Sequence, residues 1–435
     1  MTRNIALRRV GSVLILFITC FLYGSLQAEE VLTWENCLVE AKHNNPDLIF
    51  AVEGVKEKEA GKDITASAFF PQVSAGIDAS TSKTSTTSSS GATSRSTKDS
   101  YSYGASATQL IFDGLKTFHD TKAASEDIKA AQQNYRFASS EVRLNLRTAF
   151  VNLLKAQELV RVEEEIFKIR RDNLELITLR YQSGLEHRGA LLTAEANMVQ
   201  AYSGLSQAKR SVELSQWQLS KEMGRKEFKL MAVVGDFTVS DQAKEKADFE
   251  AMVKNHPSVL QAAARKNSAA FGLKGAYGNF SPKVTGQAAA DKSSSHWSPE
   301  NEGWNLGLSL DVPIFEGGLK TAQLHQAKAL YNQAMASERS VRDAVAVNLQ
   351  KAWTDLQDAL EAVEVERQLL EAAGERSRIA EAQYSVGFIS FDNWIIIQDD
   401  LVRAKRIYLD AQVVCLLAEA SWIQAKGETL EYAKK

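Results

Sequence analysis

From Leu115 to Ser183 the chain contains neither glycine nor proline, a span of 69 residues. Nothing in it interrupts a helix, and a helix of that length is on the order of 100 Å long at ~1.5 Å per residue. Globular helices usually run about 8–20 residues, so this one needs a special architecture. Val142, Leu146, Ala149, Leu153, Ala156 and Val160 recur at spacings of 4, 3, 4, 3 and 4. That is a heptad seam, which predicts helices packed side by side as coiled coils. The small alanines let the helix axes approach closely. The heptads alone fit a solvated helix bundle just as well as a conduit.

The chain is also written twice, with proline and glycine as its punctuation. "KHNNPDL" at Pro46 and "VKNHPSV" at Pro257 are 211 residues apart, as are "FFPQV" at Pro71 and "FSPKV" at Pro282. "IFDGLK" at Gly114 and "IFEGGLK" at Gly317 are 203 apart. The same offset relates "YQSG" at Gly184 to "YSVG" at Gly387, and Met223-Gly224 to Lys426-Gly427. The heptad seam returns as Val345, Leu349, Ala352, Leu356, Ala359 and Val363. The duplication predicts a first repeat over 29–235 and a second over 236–435. In the first, a long helix over 115–183 is followed by a return helix over about 188–223, with a shorter helix over 46–67. In the second, the long helix spans about 318–386 and the return helix about 391–426. The eight extra residues of the first copy fall in the Ser/Thr-rich stretch 80–100. With no apolar periodicity, that stretch reads as a flexible, solvated loop.

Between the helices the hydrophobic period changes to two. Trp304, Leu306, Leu308, Leu310, Val312 and Ile314 alternate with Asn305, Gly307, Ser309 and Asp311. Four strands are predicted, over about 70–79, 101–111, 281–290 and 304–314. Each is about the length that a tilted strand needs to cross a bilayer. Phe70, Phe112, Phe280 and Phe315 fall at one end of the paired strands. Tyr101 and Trp304 fall at the other, with Trp297 nearby in a loop. Two aromatic bands at opposite ends match the two interfaces of a membrane-spanning barrel. Four strands cannot close a barrel, and an open edge in hydrocarbon leaves backbone groups unpaired. The edges must therefore pair between copies. Two copies give about 8 strands and a filled barrel, whereas three give about 12 and room for a lumen.

The N-terminus reads as a secretory signal peptide, residues 1–28, with Arg3, Arg8 and Arg9 before the apolar run Val10–Tyr23. Cys20 within it reads less well as a lipidation site. Removing its three arginines takes the formal charge from −3 to −6, which provides no basic field for nucleic acid. Cys37 and Cys415 are too few for a disulfide framework, and their pairing is left open. No later stretch is apolar enough for a membrane-spanning helix. The six histidines show no metal-ligand spacing, and no phosphate loop or nucleophile elbow is present. No enzyme activity, cofactor or metal is expected.

With "LTWENCLVEAKHNNPDL", the doubled strand-to-helix turns and the Tyr-x-x-Gly tips in view, the chain resembles the TolC-like outer-membrane efflux family over essentially its whole mature length. The resemblance implies a mainly α fold with a transmembrane β-barrel contribution. It further implies a homotrimer with a 12-stranded barrel in outer-membrane lipid and a 12-helix periplasmic tunnel. The implied role is an exit channel for efflux or type I secretion in a Gram-negative bacterium, with a periplasmic adaptor and an inner-membrane transporter as partners. The tips Ser183-Gly184-Leu185 and Val386-Gly387-Phe388 would dock the adaptor. The periplasmic aperture would involve Tyr384, Ile389, Asn393 and Ile396. The family's arginine and aspartates are replaced by Ile389, Asn393 and Ile396, so an apolar and amide constriction is expected there. The opposing reading is a trimeric coiled-coil envelope scaffold with no conducting lumen.

Overall fold

The computed structural model describes residues 30–239 and 248–431. The expected leader, residues 1–28, with its Cys20, lies outside them. Two short elements open the chain, β1 (Glu30–Leu32) and α1 (Trp34–Asn44), followed by α2 (Pro46–Ala66). The first hairpin is β2 (Gln72–Thr87) and β3 (Thr93–Phe112). Next come the long α3 (Lys116–Gln182), α4 (Arg188–Met223) and β4 (Met231–Val233). The order then recurs as α5 (Phe249–Asn255), α6 (Pro257–Gly278), β5 (Lys283–Ser294), β6 (Asn301–Asp311), α7 (Leu319–Ser385) and α8 (Phe391–Ala425). Both long helices have 67 residues. The heptad positions make their buried stripe: Leu146, Leu153, Leu349 and Leu356 are fully buried, with the intervening alanines nearly so.

The chain divides into two compact units, and neither matches a sequence repeat. Of the described residues, one takes in 30–45, 145–239 and 358–420; the other takes in 46–144, 248–357 and 421–431. Each draws on both repeats because each long helix contributes to both.

In the first unit, β1 pairs in parallel with β4, with Val31 opposite Ala232. The Gln157 amide continues this short ladder. It donates to the Val233 carbonyl (3.1 Å) and accepts from the Val233 N–H (2.9 Å). Arg147 lies over both Trp34 and Phe150, at 5.0 and 5.7 Å from the ring centres. Arg225 bridges Glu30 and Glu40 through paired hydrogen bonds of 2.6–3.1 Å. Cys37 and Cys415 are buried and are not joined in a disulfide. Burial, with the Glu40 carboxylate second, pushes the Cys37 thiol up to about 12, so it stays an inert thiol.

The second unit holds the antiparallel sheet, ordered β2-β3-β5-β6. Directly opposed residues share a face, so the register sorts the side chains. Leu306 lies opposite Ala288, which lies opposite Ala107, which lies opposite Val73. All four are apolar, and Leu306 and Val73 are 78% and 74% exposed. One step along, Asn305, Ala289, Ser106 and Ser74 share the other face. One face is therefore an apolar band open to its surroundings, and the other is mostly small and polar. A bulge between Leu110 and Phe112 brings Phe112 back onto the apolar face beside Val284 and Leu310. Without it, the two-residue alternation would turn Phe112 toward the polar face.

Two expectations are corrected. The stretch 80–100 is not a flexible loop. It pairs throughout, from Ser80 opposite Ser100 to Thr87 opposite Thr93, and only 88–92 turn. Threonines favour the extended backbone, and the polar ribbon needs no buried face, so apolar alternation could not reveal it. The last strand ends at Asp311, not at residue 314, because Pro313 has no N–H to give to a ladder.

The repeat's punctuation residues meet inside each unit. Gly224 ends α4 with φ +76°, and a Cβ there would lie 2.2 Å from the Asn44 carbonyl oxygen. Gly427 follows α8 with φ +74°, and a Cβ there would lie 2.5 Å from Pro257 Cδ. Each Asn-Pro or His-Pro junction therefore seats on its own repeat's terminal glycine. His256 is buried and accepts the Ser258 N–H at 3.2 Å, and burial holds its pKa below the ordinary histidine value. Gly184 also has positive φ, but a Cβ there meets nothing. Gly224→Ala and Gly427→Ala should each lower stability by more than the ~1–2 kcal/mol of left-handed backbone strain, because the clash adds to it. Gly184→Ala should lose only that strain. Thermal unfolding of the three variants side by side tests this ranking.

Candidate functional site: the helical tips and the membrane-facing sheet

The two tips are built alike. Gly184, at φ +71°, donates its N–H to the Tyr181 carbonyl (3.0 Å), and Leu185 donates to Arg180 (2.8 Å). Gly387, at φ +79°, donates to Tyr384 (3.0 Å), and Phe388 to Gln383 (2.8 Å). Both are glycine-terminated helix ends with paired closing bonds. Next to them, Leu185, Val386 and Phe388 are 67%, 77% and 82% exposed. Ser183 is exposed too, with its hydroxyl donating to the Leu179 carbonyl.

Behind the turns, the two hairpins share one core. Ile177, Ala190 and Ala194 of the first pack with Ala380, Tyr384, Phe391 and Trp394 of the second. Tyr384 stacks on Trp394 with ring centres 4.5 Å apart and planes 5° from parallel. The Arg180 guanidinium lies 4.7 Å from the Tyr384 ring centre. The Tyr384 hydroxyl donates to Glu186 Oε1 at 2.8 Å, and Glu186 lies 3.9 Å from Arg180. Burial and the neighbouring carboxylate both hold the Tyr384 pKa above its ordinary value. The phenol therefore stays protonated and able to donate.

Of the four aperture residues, Tyr384 is buried and Ile389 is half-buried against this core. Asn393 and Ile396 are exposed. Asp392 is exposed, and Asp399 pairs with Arg170. Glu186, Arg180 and Trp394 were not foreseen as members of this cluster. A signal was present: Glu186 stands 203 residues before Ile389, so the first tip carries the charge that the second lacks. Further along, α3 and α8 are joined by Glu163 with Arg406 (2.7 Å), Glu165 with Lys405 (2.7 Å) and Lys155 with Asp410 (2.6 Å).

On the sheet, Phe70, Phe112 and Phe280 are exposed at the helix end, and Phe315, just past β6, is 86% exposed. At the hairpin end, Trp304 is 81% exposed and half-buried Tyr101 meets Trp297 edge-on at 6.0 Å. No helix among the described residues is long and apolar enough to cross a membrane, and they contain no cluster of three or more potential metal ligands.

A long paired-helix repeat attached to a one-sided apolar sheet defines a mainly α protein with a small membrane-facing sheet. Residues 37–225 and 250–430 match the outer membrane efflux protein family, and the chain belongs to that family. The outer membrane efflux protein BepC of Brucella suis is 22% identical over 409 residues, covering 93% of this chain and 87% of that protein. The outer membrane protein TolC of Escherichia coli is 23% identical over 341 residues, covering 74% and 68%. Among solved structures, the open-state MtrE outer membrane channel of Neisseria gonorrhoeae superposes with a TM-score of 0.79 at 18% identity. It covers 92% of this chain and 90% of that one. The protein is accordingly an outer-membrane efflux protein of the TolC type, located in the outer membrane of a Gram-negative bacterium.

The tip core yields a quantitative expectation. Trp394→Ala should cost about 3–5 kcal/mol, as expected for emptying a packed aromatic site. Tyr384→Phe keeps the stack and removes only the bond to a carboxylate, worth about 1.5–3 kcal/mol. A double-mutant cycle of Tyr384→Phe with Glu186→Gln, read by chemical unfolding, should give a clear coupling energy. Additive losses would show that the bond does not link the tips.

Proposed function

We propose that three copies join their sheets into a 12-stranded barrel and their helices into a periplasmic tunnel. The assembly is an exit duct that conducts substrates passively, with an inner-membrane transporter supplying the energy through a periplasmic adaptor. One observation carries this reading: a four-stranded sheet with an apolar face, a polar face and strands β2 and β6 at its edges. In hydrocarbon each unpaired backbone group costs several kcal/mol, so the edges call for neighbours. A polar second face suits a wet lumen, which a scaffold without a channel would not need. The trimeric and tripartite arrangement is also what family membership suggests. Exposed Leu185, Val386 and Phe388 beside Gly184 and Gly387 offer the adaptor an apolar contact at the tips. The Tyr384–Glu186 bond and the stacked Trp394 hold the two hairpins together in a closed aperture, with Ile389, Asn393 and Ile396 forming an uncharged constriction.

The test is conductance in planar bilayers. The wild-type protein should give discrete channels with low open probability, and Ile396→Ala should raise the conductance of the resting state. An unchanged resting state would reject the apolar constriction; no conductance from any variant would reject the channel itself. The polar face carries Asp78, Asp291 and Asp311 against Lys283 and, out on the ribbon, Lys98, which leaves the lining net negative. A salt gradient should therefore reveal cation preference, and Asp78→Asn with Asp291→Asn should move the reversal potential toward zero.

A further inference from the structure

The β2–β3 hairpin runs well past the rest of its sheet. β3 pairs with β5 only from Tyr101 onward, while residues 93–100 pair with β2 alone. Beyond Ala79 and Tyr101 the hairpin is thus a two-stranded polar ribbon. Its residues 80–100 carry Lys83, Arg95 and Lys98 against Asp99, a formal +2 on a chain whose total is −3.

The register fixes which side these charges occupy. Lys83 lies opposite Thr97, and Arg95 opposite Ser85. By the two-residue alternation, both share the face of Ile77, Ala79, Tyr101 and Tyr103, which is the apolar, membrane-side face. Lys98, opposite Ser82, lies on the other face. Lys83 and Arg95 stand diagonally across the ribbon, in reach of one ligand. Among the described residues neither forms an ion pair, whereas Lys292, the other cation on that face, is matched by Glu302 at 2.5 Å. Asp99, opposite Thr81, shares the face without pairing with either cation.

Height supplies the second constraint. Lys83 is four residues beyond Ala79, and Arg95 six beyond Tyr101. At ~3.4 Å per residue and a tilt of ~40°, they stand roughly 10 and 16 Å above the aromatic band. That sets their backbones just above the ~5–8 Å headgroup layer that caps the hydrocarbon on each side, and their long side chains can extend back down toward it.

We infer that Lys83 and Arg95 form a binding surface for the phosphates of the anionic glycolipid in the outer leaflet, continuous with the apolar band that contacts its acyl chains. Charge complementarity and this continuity both favour that occupant. The inference rests on outer-membrane location and not on conduction.

The test uses the full-length protein in detergent with fluorescent lipid A, read as a dissociation constant. Lys83→Gln with Arg95→Gln should weaken binding at least tenfold, as should dephosphorylated lipid A on the wild-type protein. Lys83→Arg with Arg95→Lys should retain wild-type binding, which separates charge loss from misfolding. Lys98→Gln should leave the constant within twofold, and Asp99→Asn should tighten it. Undiminished binding by the Lys83/Arg95 glutamine variant would overturn the proposal. So would equal loss in Lys98→Gln, or equal affinity for dephosphorylated lipid A.

Discussion

A peptide group in hydrocarbon has no water to turn to, and the sheet of this protein is organised by that fact. Its inner strands satisfy each other residue by residue, from Tyr101 opposite Ser294 to Phe112 opposite Val284. Its outer strands have one satisfied side each within the chain. The one-sided apolar face makes the demand acute, because it places those edges where solvent does not reach. On the proposed assembly, the fold is a fraction of a larger object, and oligomerisation is part of folding the membrane segment.

The helical part obeys a different economy. A 67-residue helix is not stabilised by propensity alone, since most helical stability in proteins comes from a packed face. Here that face is the heptad stripe, with leucines fully buried and alanines keeping the axes close. Repetition then solves termination. The same glycine closes each long helix, and another seats each repeat's proline junction, so both copies stop and turn by the same local device. The repeats differ at their tips. The first tip carries Glu186, and the second carries the apolar Ile389 in the equivalent place. Tyr384 of the second hairpin reaches the charge of the first.

Much of this was legible in the chain. Long gaps between helix breakers exposed the long helices, and period-two alternation exposed β6, because each signal survives without knowledge of the partner. The ribbon over 80–100 was not legible. Its serines and threonines pair strand to strand with no buried face, so there is no alternation to read. The end of β6 was misjudged because apolar alternation continues through Val312 and Ile314, although Pro313 has already broken the ladder. The tip core was hidden for a third reason. Arg180, Glu186, Tyr384 and Trp394 are brought together by the pairing of two hairpins about 200 residues apart, and beyond the repeat offset that sets Glu186 against Ile389 a single sequence carries no mark of that pairing.

Edge pairing between copies is most directly tested by disulfide trapping. Single cysteines would be placed along β2 (73–79) and along β6 (304–310), one of each per chain, and oxidised in the membrane. Neighbouring copies that share a ladder will yield a covalently closed three-chain species for at least one register, with the band patterned in steps of two residues. If every pair leaves only single chains, the sheet does not close between subunits, and the barrel is not built this way.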